Sequence, residues 1–241
     1  MLVATYTERP DLAERTGEIE DVWPEFIHRA SINDVYWPRL RPEFPDFQLV
    51  LYDEEADAVL GRGQTVPFRR QSGWDALPDG VEGVLRQVFD EGGEPTTLSA
   101  LVAVVDPRHQ GRGLSRLVIQ GMRAVAARHG LDALVAPVRP TLKARYPLTP
   151  MERYLAWRRE DGSHFDPWLR VHERLGAEIL GVCPGSLVTE GSVAEWEEWT
   201  GMAFPESGEY VLEGALVPVA IDREADRGRY VEPNVWMRHP V

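Results

Sequence analysis

The chain has 241 residues, a length that fits one large domain or one domain with elaborations. Its 39 acidic and 26 basic residues give a formal net charge of -13, which argues against general binding to nucleic acids or anionic membranes. The single cysteine, Cys183, excludes an intramolecular disulfide, and the lack of a secretory signal or an apolar run of bilayer length predicts a cytoplasmic protein.

The first ninety residues contain both helical and strand patterns. Segment 11–30 carries apolar residues at helical spacing, and Pro24 is expected to bend or split that helix. A polar connection at 53–57 separates two runs of strand type, which predicts a hairpin. The predicted elements are a strand at 2–7, a helix at 11–30, strands at 47–52 and 58–68, and a short helix at 81–89.

The most informative stretch comes next. Residues 98–105 carry almost no polar side chains, as expected of a strand buried on both faces. Gly111 and Gly113 permit a tight turn, after which an amphipathic helix opens at about Leu114. The free N–H groups and the positive dipole end of such a helix form a site for a phosphate or pyrophosphate. Positive charge is added by Arg108, Arg112 and Arg116.

Two other phosphate-binding motifs fit this turn poorly. A dinucleotide fingerprint requires a third glycine at the position of Arg116. A P-loop requires Lys and then Ser or Thr after its last glycine, whereas Gly113 is followed by Leu114 and Ser115. The turn is therefore predicted to bind a phosphate by a different motif.

The second half of the chain continues with alternating strands and helices. His129 and Gly130 form a helix stop, and an extended connection at 139–166 separates the next strand from a short helix. Ser192 and Glu195 match a capping box. The predicted elements are a strand at 131–138, helices at 146–154 and 167–175, a helix after Ser192, and strand-like runs at 210–221 and 230–237.

Two motifs resemble those of the GNAT superfamily of N-acyltransferases. Residues 108–113, Arg-His-Gln-Gly-Arg-Gly, match its Arg/Gln-x-x-Gly-x-Gly/Ala motif, and residues 171–177 align with its consensus Leu-Tyr-Glu-Lys-Leu-Gly-Phe. The resemblance implies an α/β (α+β) fold with a mixed central β-sheet flanked by helices. The sequence departs from a minimal member of the family by an elongated loop before the C-terminal helix and by extra C-terminal strands. We expect one domain over 1–241, with a core at about 1–182 and a C-terminal elaboration at about 183–241.

The resemblance also implies a donor substrate. In the family, the diphosphate of acetyl-CoA or another acyl-CoA binds backbone N–H groups of the glycine turn, and the pantetheine arm pairs with the preceding strand. The residues assigned to these contacts are Val104, Val105, Gln110, Gly111, Arg112, Gly113 and Leu114. No metal is expected, because the six histidines show no metal-ligand spacing.

Acylation of an amine needs a neutral amine, a stabilised oxyanion and a proton donor for the departing thiolate. The family commonly uses the tyrosine of its second motif as this donor, and His172 stands at that position. We expect His172 to be the general acid, because the pKa of histidine lies near neutrality. A purely structural His172 is the alternative, with Tyr146, Tyr154 and His164 as rival donors. No base is assigned, because the strand at 98–105 has no acidic side chain.

The sequence therefore predicts an enzyme that moves an acyl group, most simply acetyl, to a primary amine of a small-molecule acceptor by direct attack. Two alternatives stay open: the same fold could use an acyl carrier protein thioester as donor, or it could be a non-catalytic module that binds acyl-CoA. A homodimer is a further hypothesis, whereas binding to nucleic acid or membrane is not expected.

Overall fold

The structure is a computed structural model that describes residues 1–20, 22–71 and 73–241. The strands are β1 (Leu2–Thr5), β2 (Gln48–Asp53), β3 (Ala58–Phe68), β4 (Thr97–Val105), β5 (Ala133–Val138), β6 (Glu178–Gly191), β7 (Gly208–Tyr210), β8 (Val219–Asp222) and β9 (Arg227–Pro240). The helices are α1 (Pro10–Arg15), α2 (Glu25–His28), α3 (Ile32–Val35), α4 (Trp37–Glu43), α5 (Gly80–Arg86), α6 (Leu114–Arg128), α7 (Met151–Leu155), α8 (Pro167–Arg174) and α9 (Val193–Thr200). Within the described residues, no helix is long and apolar enough to cross a membrane.

The N-terminal helical segment differs in part from its prediction. The break expected at Pro24 in the helix predicted at 11–30 is confirmed, since α2 starts after it, but the part before Pro24 is not one helix, because α1 passes into a 3₁₀ turn at Thr16–Glu18. Pro24 itself is extended, with φ -57° and ψ 144°, so the chain changes direction there. Asp21, which falls inside the predicted helix, lies outside the described residues. The apolar residues Leu12 and Phe26 are buried, but in two different clusters.

The strands form one sheet in the order β1-β2-β3-β4-β5-β9-β8-β7, with β6 paired to β9. The first four strands pair with one another in antiparallel order, which confirms the predicted hairpin as β2 and β3. Strands β4 and β5 are parallel and pair only at Leu98 with Leu134 and at Ser99 with Val135. Beyond Ser99 the two strands diverge, so in the described structure that edge of β4 has no neighbouring strand. The mixed sheet with flanking helices confirms the α/β (α+β) class.

The C-terminal region does more than extend the edge of the sheet. Strand β9 pairs with β5 from Ala133–Pro240 to Val138–Val235 and with β6 on its other side. The predicted boundary between a core at 1–182 and a later elaboration therefore does not coincide with a boundary in the sheet, because β9 is one of the central strands of the sheet. The run predicted as strand at 210–221 is also mostly irregular, since Gly214 has a positive φ and Pro218 precedes β8.

Helix α6 packs against the sheet at two glycines. A Cβ on Gly63 of β3 would lie 2.7 Å from Met122 Cε, and one on Gly121 would lie 2.6 Å from Val3 Cγ1. Glycine at these positions lets the helix approach the strands closely. The apolar face of α6 is buried by Leu114, Val118, Ile119, Met122, Val125 and Ala126. This packing fixes the N-terminus of α6 at the end of β4.

Candidate active site

A cavity of about 800 Å³ opens where β4 and β5 diverge. Strand β4 lines it with residues 100–105, and β5 lines it with residues 136–138. Further walls come from β3, the start of α6, α8, β9 and the N-terminal helices. The cavity therefore joins the open edge of a strand to the beginning of a helix, as the sequence predicted.

The turn between β4 and α6 presents backbone donors to this cavity. Gly111 and Gly113 both have left-handed backbones, with φ of 75° and 72°, and Gly113 is the N-cap of α6. Because glycine has no side chain to cap the helix, the first N–H groups of α6 are left for another acceptor. The positive end of the helix dipole points the same way, which suits a diphosphate.

An ion pair between the buried Asp106 and the exposed Arg108 fixes the start of this turn. The Asp106 carboxylate accepts hydrogen bonds from Arg108 Nε at 2.8 Å and from the Arg108 backbone N–H at 2.9 Å. The Arg108 guanidinium, opposed in part by burial, holds the pKa of Asp106 down at about 2. Arg108 therefore stabilises the conformation of the turn through its bonds to Asp106.

Six of the seven residues predicted to bind CoA line the cavity: Val104, Val105, Gln110, Gly111, Gly113 and Leu114. Arg112 is not among the lining residues; it is exposed, with Nη1 3.3 Å from His109 Nδ1. The carbonyl oxygen of Val105 already accepts a hydrogen bond from Gln110 Nε2 at 3.2 Å. A ligand that pairs with this carbonyl must displace the Gln110 side chain.

His172 lies in the same cavity, with 3% of its surface exposed. Its Nδ1 is 2.8 Å from Nε2 of His239 on β9, and its Nε2 is buried without a hydrogen-bond partner among the described residues. Burial, reinforced by His239, lowers the pKa of His172 to about 3, and burial lowers that of His239 to about 4. The expectation of a near-neutral pKa is therefore wrong. His172 is a neutral ring at physiological pH and has one N–H to donate.

The rival donors of the long connection do not reach the cavity. The Tyr154 hydroxyl donates to Asp166 Oδ2 at 2.8 Å, and burial together with this carboxylate raises the pKa of Tyr154. His164 accepts the Asp166 N–H through Nδ1 at 3.0 Å. Tyr146 packs edge-on against Trp157, with ring centroids 4.9 Å apart. These side chains stabilise the connection, and in the described structure none of the three lines the cavity.

Sequence reasoning missed a polar cluster in the wall of the cavity. Glu232 on β9 is the only carboxylate among the described lining residues. It accepts hydrogen bonds from Arg139 Nε at 3.0 Å, Tyr230 Oη at 2.9 Å and Asn234 Nδ2 at 3.2 Å. Burial of Arg139 disfavours the charged guanidinium, but Glu232 holds the pKa of Arg139 above its usual value. The available signal was a lone carboxylate in the apolar run at 230–237, since a buried charge needs a partner.

Comparison with known proteins gives the family. No family model matches the chain. The chain is 34% identical over 272 residues to the arginine N-acetyltransferase avaD of Aspergillus versicolor, and the match covers 98% of this chain and 93% of that protein. The chain belongs to the GNAT superfamily of N-acyltransferases. This GNAT enzyme transfers an acyl group to an amine, and the superfamily uses acetyl-CoA or another acyl-CoA as donor. It is not a non-catalytic module.

Solved GNAT structures agree with this fold. The loading GNATL domain of CurA from Lyngbya majuscula is 18% identical, covers 99% of this chain and 96% of its own, and has a TM-score of 0.60. The GphF GNAT-like decarboxylase, solved in complex with isobutyryl-CoA, is 21% identical, covers 100% of this chain and 99% of its own, and has a TM-score of 0.56. At these identities the likeness shows the GNAT fold alone.

Proposed function

We propose that this GNAT enzyme transfers an acetyl group from acetyl-CoA to a nitrogen of arginine or of a small molecule with a similar cationic group. The observation that carries the proposal is the cavity itself, which joins the open edge of β4, the uncapped start of α6 and the buried carboxylate of Glu232. The choice of acceptor is supported by the relative that is 34% identical and named an arginine N-acetyltransferase.

The turn between β4 and α6 supports a site for the acetyl-CoA donor. The backbone N–H groups of Gly111, Gly113 and Leu114 hold the diphosphate, and the open edge of β4 at Val104 and Val105 pairs with the pantetheine arm. A β-strand edge without a neighbour offers a row of N–H and C=O groups, which matches the two amides of pantetheine. The thioester then lies where β4 and β5 diverge.

The buried polar cluster around Glu232 supports a site for the acceptor. Glu232 offers a cationic acceptor carboxylate oxygens in this part of the cavity, although Arg139 balances its charge. Trp23 and Trp37 from the N-terminal segment also line the cavity, and aromatic faces attract cations. Because the nitrogen must be neutral to attack, it loses a proton to water before the transfer.

The chemistry is a direct transfer. The neutral nitrogen attacks the thioester carbonyl, a tetrahedral intermediate forms, and the C–S bond breaks as the amide forms. The departing sulfur takes up one proton, so an amine and acetyl-CoA become an amide and free CoA. His172 stabilises the departing thiolate with a hydrogen bond from Nε2–H, a tautomer that requires Nδ1 to accept from His239. Positioning of the two substrates in one cavity supplies much of the rate.

A direct assay tests the proposal. The purified protein is mixed with acetyl-CoA and either L-arginine or another small amine, and thiol release is followed together with the mass of the product. We expect thiol release that depends on L-arginine and a product heavier by one acetyl group. Thiol release at the same rate with and without any amine would contradict the proposal.

A further inference from the structure

Arg62 of β3 lines the cavity on the side covered by the N-terminal helices. In the sheet it lies opposite Val104, and Gln64 lies opposite Val102. Side chains alternate along a strand, and a Cβ on Gly63 would meet Met122 and Val118 of α6. Arg62 and Gln64 therefore point away from α6, to the face opposite that helix.

No group in the described part of the chain balances the charge of Arg62. Among residues 1–20, 22–71 and 73–241 it forms no hydrogen bond or ion pair, and its Nε is buried without a partner. Gln64 Oε1, two residues along the same face, is also buried without a partner. An unmet donor and an unmet acceptor thus lie side by side on one wall of a cavity.

The contrast with Arg139 makes Arg62 unusual. Arg139 also lines the cavity, but Glu232 faces it at 3.0 Å and neutralises it. Histidines aside, the charged lining residues of the described structure are Arg62, Arg139 and Glu232, so the charge of Arg62 is unmatched among them. Arg62 is half-buried, and an anionic group of a ligand in the cavity would supply its missing partner.

The diphosphate of CoA is not that anion. The turn at Gly111 and Gly113 leads into α6, and Arg62 points to the opposite face of the sheet. A ligand anion that pairs with Arg62 would instead lie on the side of the cavity that the N-terminal helices line. Arginine side chains prefer planar carboxylates, which they bind through two parallel hydrogen bonds.

We propose that Arg62 binds a carboxylate of the small molecule in this part of the cavity, and that Gln64 accepts a hydrogen bond from the same molecule. The inference rests on the proposed acyl transfer, and it requires that one of the two substrates of that reaction carry a carboxyl group. The carboxylate has two chemical sources: the carboxyl group of an amino-acid acceptor, or a second carboxyl group on the acyl chain of the donor.

The acceptor is tested with L-arginine and agmatine, the amine that arginine gives when its carboxyl group is removed. If the acceptor supplies the carboxylate, the KM for L-arginine in Arg62→Gln rises about 10- to 100-fold, while the KM for agmatine does not change. Arg62→Lys keeps the charge but not the planar guanidinium, so its KM for L-arginine should lie between those of the wild type and Arg62→Gln. The control is Arg153→Gln, because Arg153 is exposed, unpaired in the described structure and outside the cavity.

The donor is tested by calorimetry with acetyl-CoA and malonyl-CoA. If the acyl chain supplies the carboxylate, Arg62→Gln weakens binding of malonyl-CoA about 10- to 100-fold and leaves that of acetyl-CoA unchanged. Arg62→Gln behaving like Arg153→Gln with all four ligands would overturn the inference, and so would equal weakening of both CoA esters.

Failure of the proposed function gives a different result. Wild-type protein that acetylates neither L-arginine nor agmatine contradicts the acceptor proposed above. Calorimetry on wild-type protein then still tests the inference without any variant. It requires that L-arginine bind more tightly than agmatine, or that malonyl-CoA bind more tightly than acetyl-CoA.

Discussion

The substitution Gly113→Ala separates the binding role of the glycine turn from its structural role. Gly113 has φ of 72°, and a Cβ built there meets nothing within 4 Å. The cost of alanine is therefore backbone strain alone, about 1–2 kcal/mol for a left-handed residue. In a protein of this length that corresponds to a fall in Tm of about 2–8 °C. Relief of the strain would turn the N–H groups away from the diphosphate.

Gly130 provides the matched control at the other end of the same helix. It has φ of 67°, and a Cβ there also meets nothing within 4 Å. Gly130→Ala should therefore cost the same stability. Calorimetry with CoA should show about 10- to 100-fold weaker binding for Gly113→Ala only, because hydrogen bonds to a charged group contribute about 1.5–3 kcal/mol each. Equal CoA affinity in the two variants would refute the assignment of the turn.

Further expectations concern the donor, the histidines and the buried cluster. CoA should bind far more tightly than pantetheine, and its affinity should fall as salt rises; equal binding of the two would refute a diphosphate site and favour a carrier-protein donor. His172→Ala should lower kcat about 10²-fold with unchanged CoA affinity, and normal turnover would make the ring structural. The free energy of unfolding should fall by about 3 kcal/mol from His239 alone as pH drops from 6.5 towards 4, because the unfolded histidine binds its proton first; urea titrations of wild type and His239→Gln with no difference in pH slope would contradict this. Glu232→Gln should cost about 3–5 kcal/mol in urea unfolding, because Arg139 is left unpaired, and a cost under about 1 kcal/mol would contradict a tight pair.

Local features of the sequence predicted three structural details correctly. The glycine turn, the start of α6 at Leu114 and the capping box at Ser192 and Glu195 all depend on residues close in the chain. Hydrogen bonds and φ angles over a few residues decide such features, so sequence patterns report them directly. The helix predicted at 11–30 shows the limit, because burial in two different clusters replaced one continuous helical face.

The polar cluster at Glu232 and the histidine pair depend on strand pairing that no local pattern reveals. Glu232 meets Arg139 across 93 residues of chain, and His172 meets His239 across 67. Both contacts exist because β9 pairs with β5 and β6, which brings the C-terminal segment into the centre of the sheet. The altered pKa of His172 follows from the same burial, so the sequence could propose the residue but not its neutral state.

A crystal structure of the protein with CoA tests the central claim most directly. The account predicts the diphosphate on the backbone N–H groups of Gly111, Gly113 and Leu114, the pantetheine arm along the open edge of β4, and the thiol in the cavity that His172 lines. CoA bound elsewhere, or a diphosphate without contacts to this turn, would contradict the account.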